Sequence, residues 1–363
     1  MIISIKEINM ALLEGSPDLS EIDHHEMVDE LADAQERLQE NGGVFVAEPL
    51  EPSELYQPVP GTFRVDKQKP LHGGTVTIGA YETERASHRV GIYTPDNYRP
   101  EAKLPKVLTT TPLGVGARGR SQIVGEEMMR AGFRVIKKAV PRYAGPITTA
   151  LGLAEDANEM LGLMNTLEAD GIIDPTEEII PEGESQSGMK ALAVLALAAA
   201  YGYDVADGLV IAPCYLHKIN LLRPDRQVGR MLGMLGGTIR YISHTTPEER
   251  HELRGTFSIK DMHHHALVLP VLVSGETGTF PTHIPKEQKF GLELYGKDGH
   301  SHPHEVKAEF DKMFPNVSSR ILAEYGHVDG IMSTETAARR DAMLFEIAQA
   351  HDVHRASLTK HAA

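Results

Sequence analysis

Glu178-Ile179-Ile180-Pro181-Glu182-Gly183-Glu184-Ser185-Gln186-Ser187-Gly188-Met189 is the stretch on which the fold of this chain turns. A strand-like run at Glu178 to Ile180 leads to a serine set among small residues, and an alanine-rich apolar run, Ala191 to Tyr203, follows. Strand, tight turn and buried helix in that order put Ser185 at the carboxyl end of a strand, on a turn that Gly183, Ser187 and Gly188 are small enough to close. The helix beginning near Met189 brings its N-terminal N–H groups and positive dipole end to the same place. A serine hydroxyl is a poor nucleophile until a base takes its proton and donors stabilise the oxyanion, so this position matters more than the residue type.

Working outward, the segments around Ser185 alternate between strand and helix. Lys106 to Thr110 is strand-like, Ser121 to Ala131 helix-like and Arg134 to Val140 strand-like, and a helical pattern from Ala154 to Ala169 precedes the strand at Glu178. Gly208 to Ala212 and Phe290 to Tyr295 are further strands. A helix near His304 to Met313, a strand at Ser319 to Glu324 and a terminal helix from Thr334 to His354 complete the order. Strands separated by helices of this length predict an α/β fold, with a mostly parallel central sheet flanked by helices. Before it, Gly74 to Tyr81 and His88 to Tyr93 alternate with period two and predict an antiparallel pair. Residues 44–70, with Pro49, Pro52, Pro58 and Pro60, read as an extended connector, and Asp23 to Asn41 as an amphipathic acidic helix stopped by Gly42-Gly43. The α/β order breaks between residues 215 and 288, which read as a cap or lid insertion. The expected organisation is an N-terminal extension over 1–71, a core over 72–214 and 289–355, and the insertion between the two core parts.

Composition narrows the function. The formal charge is −15, and Lys6 and Arg37 are the only basic side chains among the first sixty residues. Such a surface repels phosphate backbones, which argues against nucleic acid or an anionic membrane as partner. Cys214, the single cysteine, excludes an internal disulfide framework and a Cys-cluster metal site, fits a reducing compartment, and reads as a buried small apolar residue. The opening residues lack a basic region followed by an apolar one, and the apolar run at Ala191 is too short to span a bilayer. The expectation is a cytoplasmic protein, with the acidic helix and the long C-terminal helix as surfaces for a possible homo-oligomer.

In its elbow and in the order of its elements the chain resembles the α/β-hydrolase superfamily over residues 72–355. The family elbow reads Gly-x-Ser-x-Gly, from which this chain departs at Ser187, and Pro181 stands in what would be a central strand. The resemblance implies nucleophile, acid and histidine in that chain order. Gly296-Lys297-Asp298-Gly299 looks like the acid turn and Tyr325-Gly326-His327-Val328-Asp329-Gly330 is similar to the histidine loop. Ser185 is then the nucleophile, His327 the base and Asp298 the orienting acid, with Glu276 the rival acid after the strand-like run Val271 to Gly275. Gln186, and Leu113 or Gly114 in the loop after the strand at Lys106, are the implied oxyanion donors. The implied activity is hydrolysis of a small carboxylic ester without metal or organic cofactor.

Other readings attach to the same residues. A Ser/Gly turn can be only a turn, and Asp298 only a turn former. Gly114-Val115-Gly116-Ala117-Arg118-Gly119 matches a dinucleotide fingerprint and would make the chain a nucleotide-dependent oxidoreductase. The acid such a site needs about twenty residues on is absent, and Lys137 and Lys138 in that region would suit only a 2′-phosphate. His263-His264-His265 and His300, His302 and His304 have imidazoles that could bind metal but read as solvated loop residues, though His300 and His302, being next to Asp298, could line a pocket. A non-catalytic binding protein on the hydrolase fold is the third class.

Overall fold

The structure is a computed structural model and describes residues 58–84, 86–99, 105–110, 120–139, 142–143, 153–198, 201, 203–213, 284–297, 303–327, 330 and 333–361. The acidic helix at 23–41, Cys214 and nearly all of the 215–288 insertion lie outside them.

Among the described residues, ten strands form one sheet. They are β1 (Thr62–Leu71), β2 (Gly74–Glu82), β3 (Ala86–Pro95), β4 (Lys106–Thr110), β5 (Val135–Lys138), β6 (Arg142–Tyr143), β7 (Ile179–Glu184), β8 (Gly208–Ile211), β9 (Phe290–Tyr295) and β10 (Val317–Leu322). The helices are α1 (Arg120–Arg130), α2 (Leu153–Ala169), α3 (Gln186–Ala198), α4 (Pro303–Met313) and α5 (Thr334–His361). Across the sheet the order is β1-β2-β3-β5-β4-β7-β8-β9-β10, with β6 paired to β3. β5, β4, β7, β8, β9 and β10 run parallel, and β1, β2 and β3 join them antiparallel.

The physical cause of this layering lies in the strands. β4, β5, β7 and β8 are buried along their whole length, so both faces need a helical cover. On one face Met160, Leu161 and Met164 of α2 pack with Leu192, Leu195 and Leu197 of α3 and Phe310 of α4. On the other, Val124, Met128 and Met129 of α1 and Leu344 of α5 cover Val107, Val135, Ile180 and Ile211. From Ala191 to Ala198, α3 is apolar on every side because it is buried on every side. Each of its leucines contributes about 1.5–3 kcal/mol by leaving water.

After β4 the chain crosses by α1 to β5 on one side, and after β5 it crosses by α2 to β7 on the other. The carboxyl ends of β4 and β7 are therefore a topological switch point, where open α/β sheets form their crevice. Ser185 stands directly after β7.

Two sequence readings change. Residues 62–70, read as connector, belong to the edge strand β1. Its side chains are exposed on both faces, so no alternation marks it, and backbone pairing with β2 holds it in place. Pro181 lies inside β7 and not at an end. The pairing beside it slips by one residue, from Ile179↔Val205 to Glu182↔Leu209, and in that irregular step a missing N–H is tolerated.

Candidate functional site

Ser185 has φ 59°, a left-handed backbone that a non-glycine residue adopts at a cost of roughly 1–3 kcal/mol and that recurs at functional turns. Several contacts enforce it. The Ser185 N–H donates to the Ile211 carbonyl at 2.9 Å, and the Gly188 N–H donates to the Ser185 carbonyl at 3.0 Å. A Cβ on Gly183 would lie 2.0 Å from the Ser187 carbonyl oxygen, so only glycine lets the turn fold back on its own strand.

Ser187, the departure from the family elbow, has a job at this turn. Among the described residues, pairing between β4 and β7 is seen as far as Thr109↔Glu182. Beyond it the Ser187 hydroxyl accepts the Glu184 N–H at 2.9 Å and donates to the Glu184 carbonyl at 2.6 Å. A glycine at this position could make neither bond.

Ser185 and His327 are separated by 142 residues in the chain, and their Oγ and Nε2 atoms are 2.8 Å apart. Both are nearly buried, at 5% and 8% exposure, so the contact is largely shielded from water. His327 follows β10, and two backbone bonds fasten its loop to the loop after β9. The Gly296 N–H donates to the Leu322 carbonyl at 2.7 Å, and the Lys297 N–H to the Tyr325 carbonyl at 2.9 Å. A hydroxyl held against an imidazole at this distance can pass its proton to it.

Of the other residues singled out by sequence, Asp298, Glu276, Leu113, Gly114, Gly116, Gly119, His263, His264, His265, His300 and His302 lie outside the described residues. Gln186 is the first residue of α3, and His304 is exposed on α4. Lys137 and Lys138, which the nucleotide reading needs for a 2′-phosphate, are buried in β5, Lys138 with its ammonium 3.7 Å from the Glu159 carboxylate. Among the described residues no group of three His, Cys, Asp or Glu side chains is placed to hold a metal, and no helix is long and apolar enough to cross a membrane.

Sequence reasoning missed a charged cluster under the elbow. Arg340 of α5, 1% exposed, lies 3.6 Å from the Glu184 carboxylate, 3.6 Å from Glu127 and 3.8 Å from Asp341. Burial pulls its guanidinium down, but the carboxylates of Glu184, Glu182, Asp341 and Glu127 outweigh it and raise it above its ordinary value. The Tyr295 hydroxyl, raised well above its usual range by burial and then by the Glu184 and Glu293 charges, donates to Glu184 at 3.5 Å. The available signal was two acids, Glu182 and Glu184, in an otherwise apolar central strand.

No family model and no curated protein matches this sequence. Solved structures do. The enol-lactonase from Burkholderia xenovorans LB400 aligns at 14% identity and a TM-score of 0.50, covering 73% of this chain and 97% of that one. The acetyl xylan esterase from Paenibacillus sp. R4 aligns at 12% identity and 0.47, over 88% of this chain and 93% of its own. Carboxylesterase CesB from Bacillus subtilis aligns at 13% identity and 0.47, over 74% and 91%.

Proposed function

We propose, from the α/β-hydrolase fold that the chain has, that it is a serine hydrolase that cleaves a small carboxylic ester through an acyl-enzyme. The observation that carries this reading is the 2.8 Å contact between Ser185 Oγ and His327 Nε2, made at a left-handed turn after the central strand.

In this reading Ser185 Oγ attacks the acyl carbon as His327 Nε2 takes its proton. The carbonyl oxygen becomes an oxyanion and is met by the N–H of Gln186 and that of Leu113 or Gly114. Gln186 opens α3, and first-turn N–H groups have no acceptor within their own helix. His327 then returns the proton to the leaving alcohol, and water repeats the sequence on the acyl-enzyme. Asp298 holds the imidazole by its second nitrogen. That role is supported by the fastening of Gly296 and Lys297, just before Asp298, to the loop that leads into His327. Residues 215–288 are the proposed cap and set the size of acyl group admitted.

A fluorophosphonate probe is expected to label Ser185, and Ser185→Ala to abolish both labelling and turnover of nitrophenyl esters. Undiminished labelling of the alanine variant would remove the assignment. A panel of nitrophenyl esters of increasing acyl length then defines the substrate.

A further inference from the structure

Ser185, His327 and Asp298 sit on segments from three distant parts of the chain. Chemistry at Ser185 tolerates little error in their relative placement, because misplacement of about 1 Å can cost roughly a hundredfold in rate. The cluster under the elbow touches all three segments. Glu184 immediately precedes Ser185. Tyr295, whose hydroxyl reaches the Glu184 carboxylate, ends β9 and lies just before Asp298 in the chain. Gly330 closely follows His327 and packs so tightly on the Tyr295 ring that a Cβ would lie 2.3 Å from a ring carbon. The Thr336 hydroxyl donates to the Gly330 carbonyl, and Arg340, one helical turn further along α5, brings its guanidinium back to Glu184.

Resting on the hydrolase reading, we propose that Arg340, acting on Glu184 and through Tyr295, is a positioning residue that fixes the nucleophile elbow against the acid and histidine loops. Burial of the charges supports it. A buried ion pair is seldom more stabilising than well-packed apolar residues of the same volume, so stability alone gives little reason for a fully buried arginine here. What the arrangement supplies is direction: the guanidinium lies 3.6 Å from carboxylates on both α1 and the end of β7, so its buried charge is fully compensated only when α5, α1 and the end of β7 are in register.

The test is made on the full chain, with fluorophosphonate labelling and nitrophenyl acetate turnover at a temperature where circular dichroism shows every variant folded. Arg340→Met is expected to lower the labelling rate and kcat on the order of a hundredfold with KM nearly unchanged, and Arg340→Lys to recover about tenfold of that loss. Tyr295→Phe, which keeps the ring against Gly330 and removes only the hydroxyl, should lower kcat about tenfold. Wild-type labelling and kcat in folded Arg340→Met, or a loss that Arg340→Lys does not relieve, overturns the proposal. If Arg340→Met does not fold, unchanged kcat in Tyr295→Phe overturns it. An unlabelled wild-type Ser185 instead overturns the hydrolase reading, which separates the two failures.

Discussion

Ser187→Gly restores the family elbow, and the contacts at this turn say that it weakens the protein. Ser187 is 1% exposed, and its hydroxyl both accepts the Glu184 N–H and donates to the Glu184 carbonyl, at 2.9 and 2.6 Å. Removing it takes this partner away from two buried backbone groups. A buried donor left without its acceptor costs about 1–3 kcal/mol. Glycine inside a helix adds up to about 1 kcal/mol, and less than that in the first turn of α3. The sum is about 1–4 kcal/mol, and with a urea m-value of about 3 kcal/mol/M it lowers the unfolding midpoint by about 0.3–1.3 M. Urea titration followed by circular dichroism measures this, and the labelling rate of Ser185 measures the turn itself. Ser187→Ala should lose nearly as much as the glycine variant, because both lack the hydroxyl. A glycine variant at least as stable as the wild type would falsify the role assigned to the hydroxyl and return Ser187 to the status of a neutral departure.

Two further outcomes concern buried charges away from the elbow. Glu159 accepts from Thr83 at 3.0 Å, contacts His88, and lies 3.7 Å from Lys138, with His88, Lys138 and Glu159 all buried. Glu159→Ala removes the carboxylate that faces the buried Lys138 ammonium and should destabilise by about 3–5 kcal/mol, read as a lowered urea midpoint, whereas a change under about 1 kcal/mol would show the cluster to be energetically idle. Burial pushes the Glu177 carboxyl from 4.5 up to about 7, although the Lys106 ammonium 3.6 Å away opposes the shift. A folded-state value raised in this way favours the native state fully below pH 4.5 and progressively less as the pH rises through about 7. Wild type should therefore lose stability relative to Glu177→Gln between about pH 5 and about pH 8, and parallel midpoints across that range would contradict the assignment.

The sheet and the sharp turn at Ser185 were legible because their signals are local. Alternation marks β2 and β3, each half-buried, and apolar runs mark α3 and the wholly buried strand β8. β1 was not legible. Its place comes from backbone pairing with β2, which leaves no periodic trace in exposed side chains. Pro181 reads as an obstacle in sequence because a strand interior normally needs every N–H, and only the one-residue slip against the neighbouring segment shows why this one does not.

By itself the sequence determined that an α/β sheet carries a serine on a sharp turn and that glycine-flanked loops late in the chain hold an acid and a histidine. Those features follow from short-range sterics and periodicity. Tertiary structure alone decided that Ser185 and His327 meet at 2.8 Å, since only the parallel order β7-β8-β9-β10 brings together residues so far apart in the chain. It also decided that Glu184, Tyr295 and Arg340 converge beneath that contact. An ion pair between a strand and the last helix has no sequence spacing to betray it, because its geometry is set by how the layers pack.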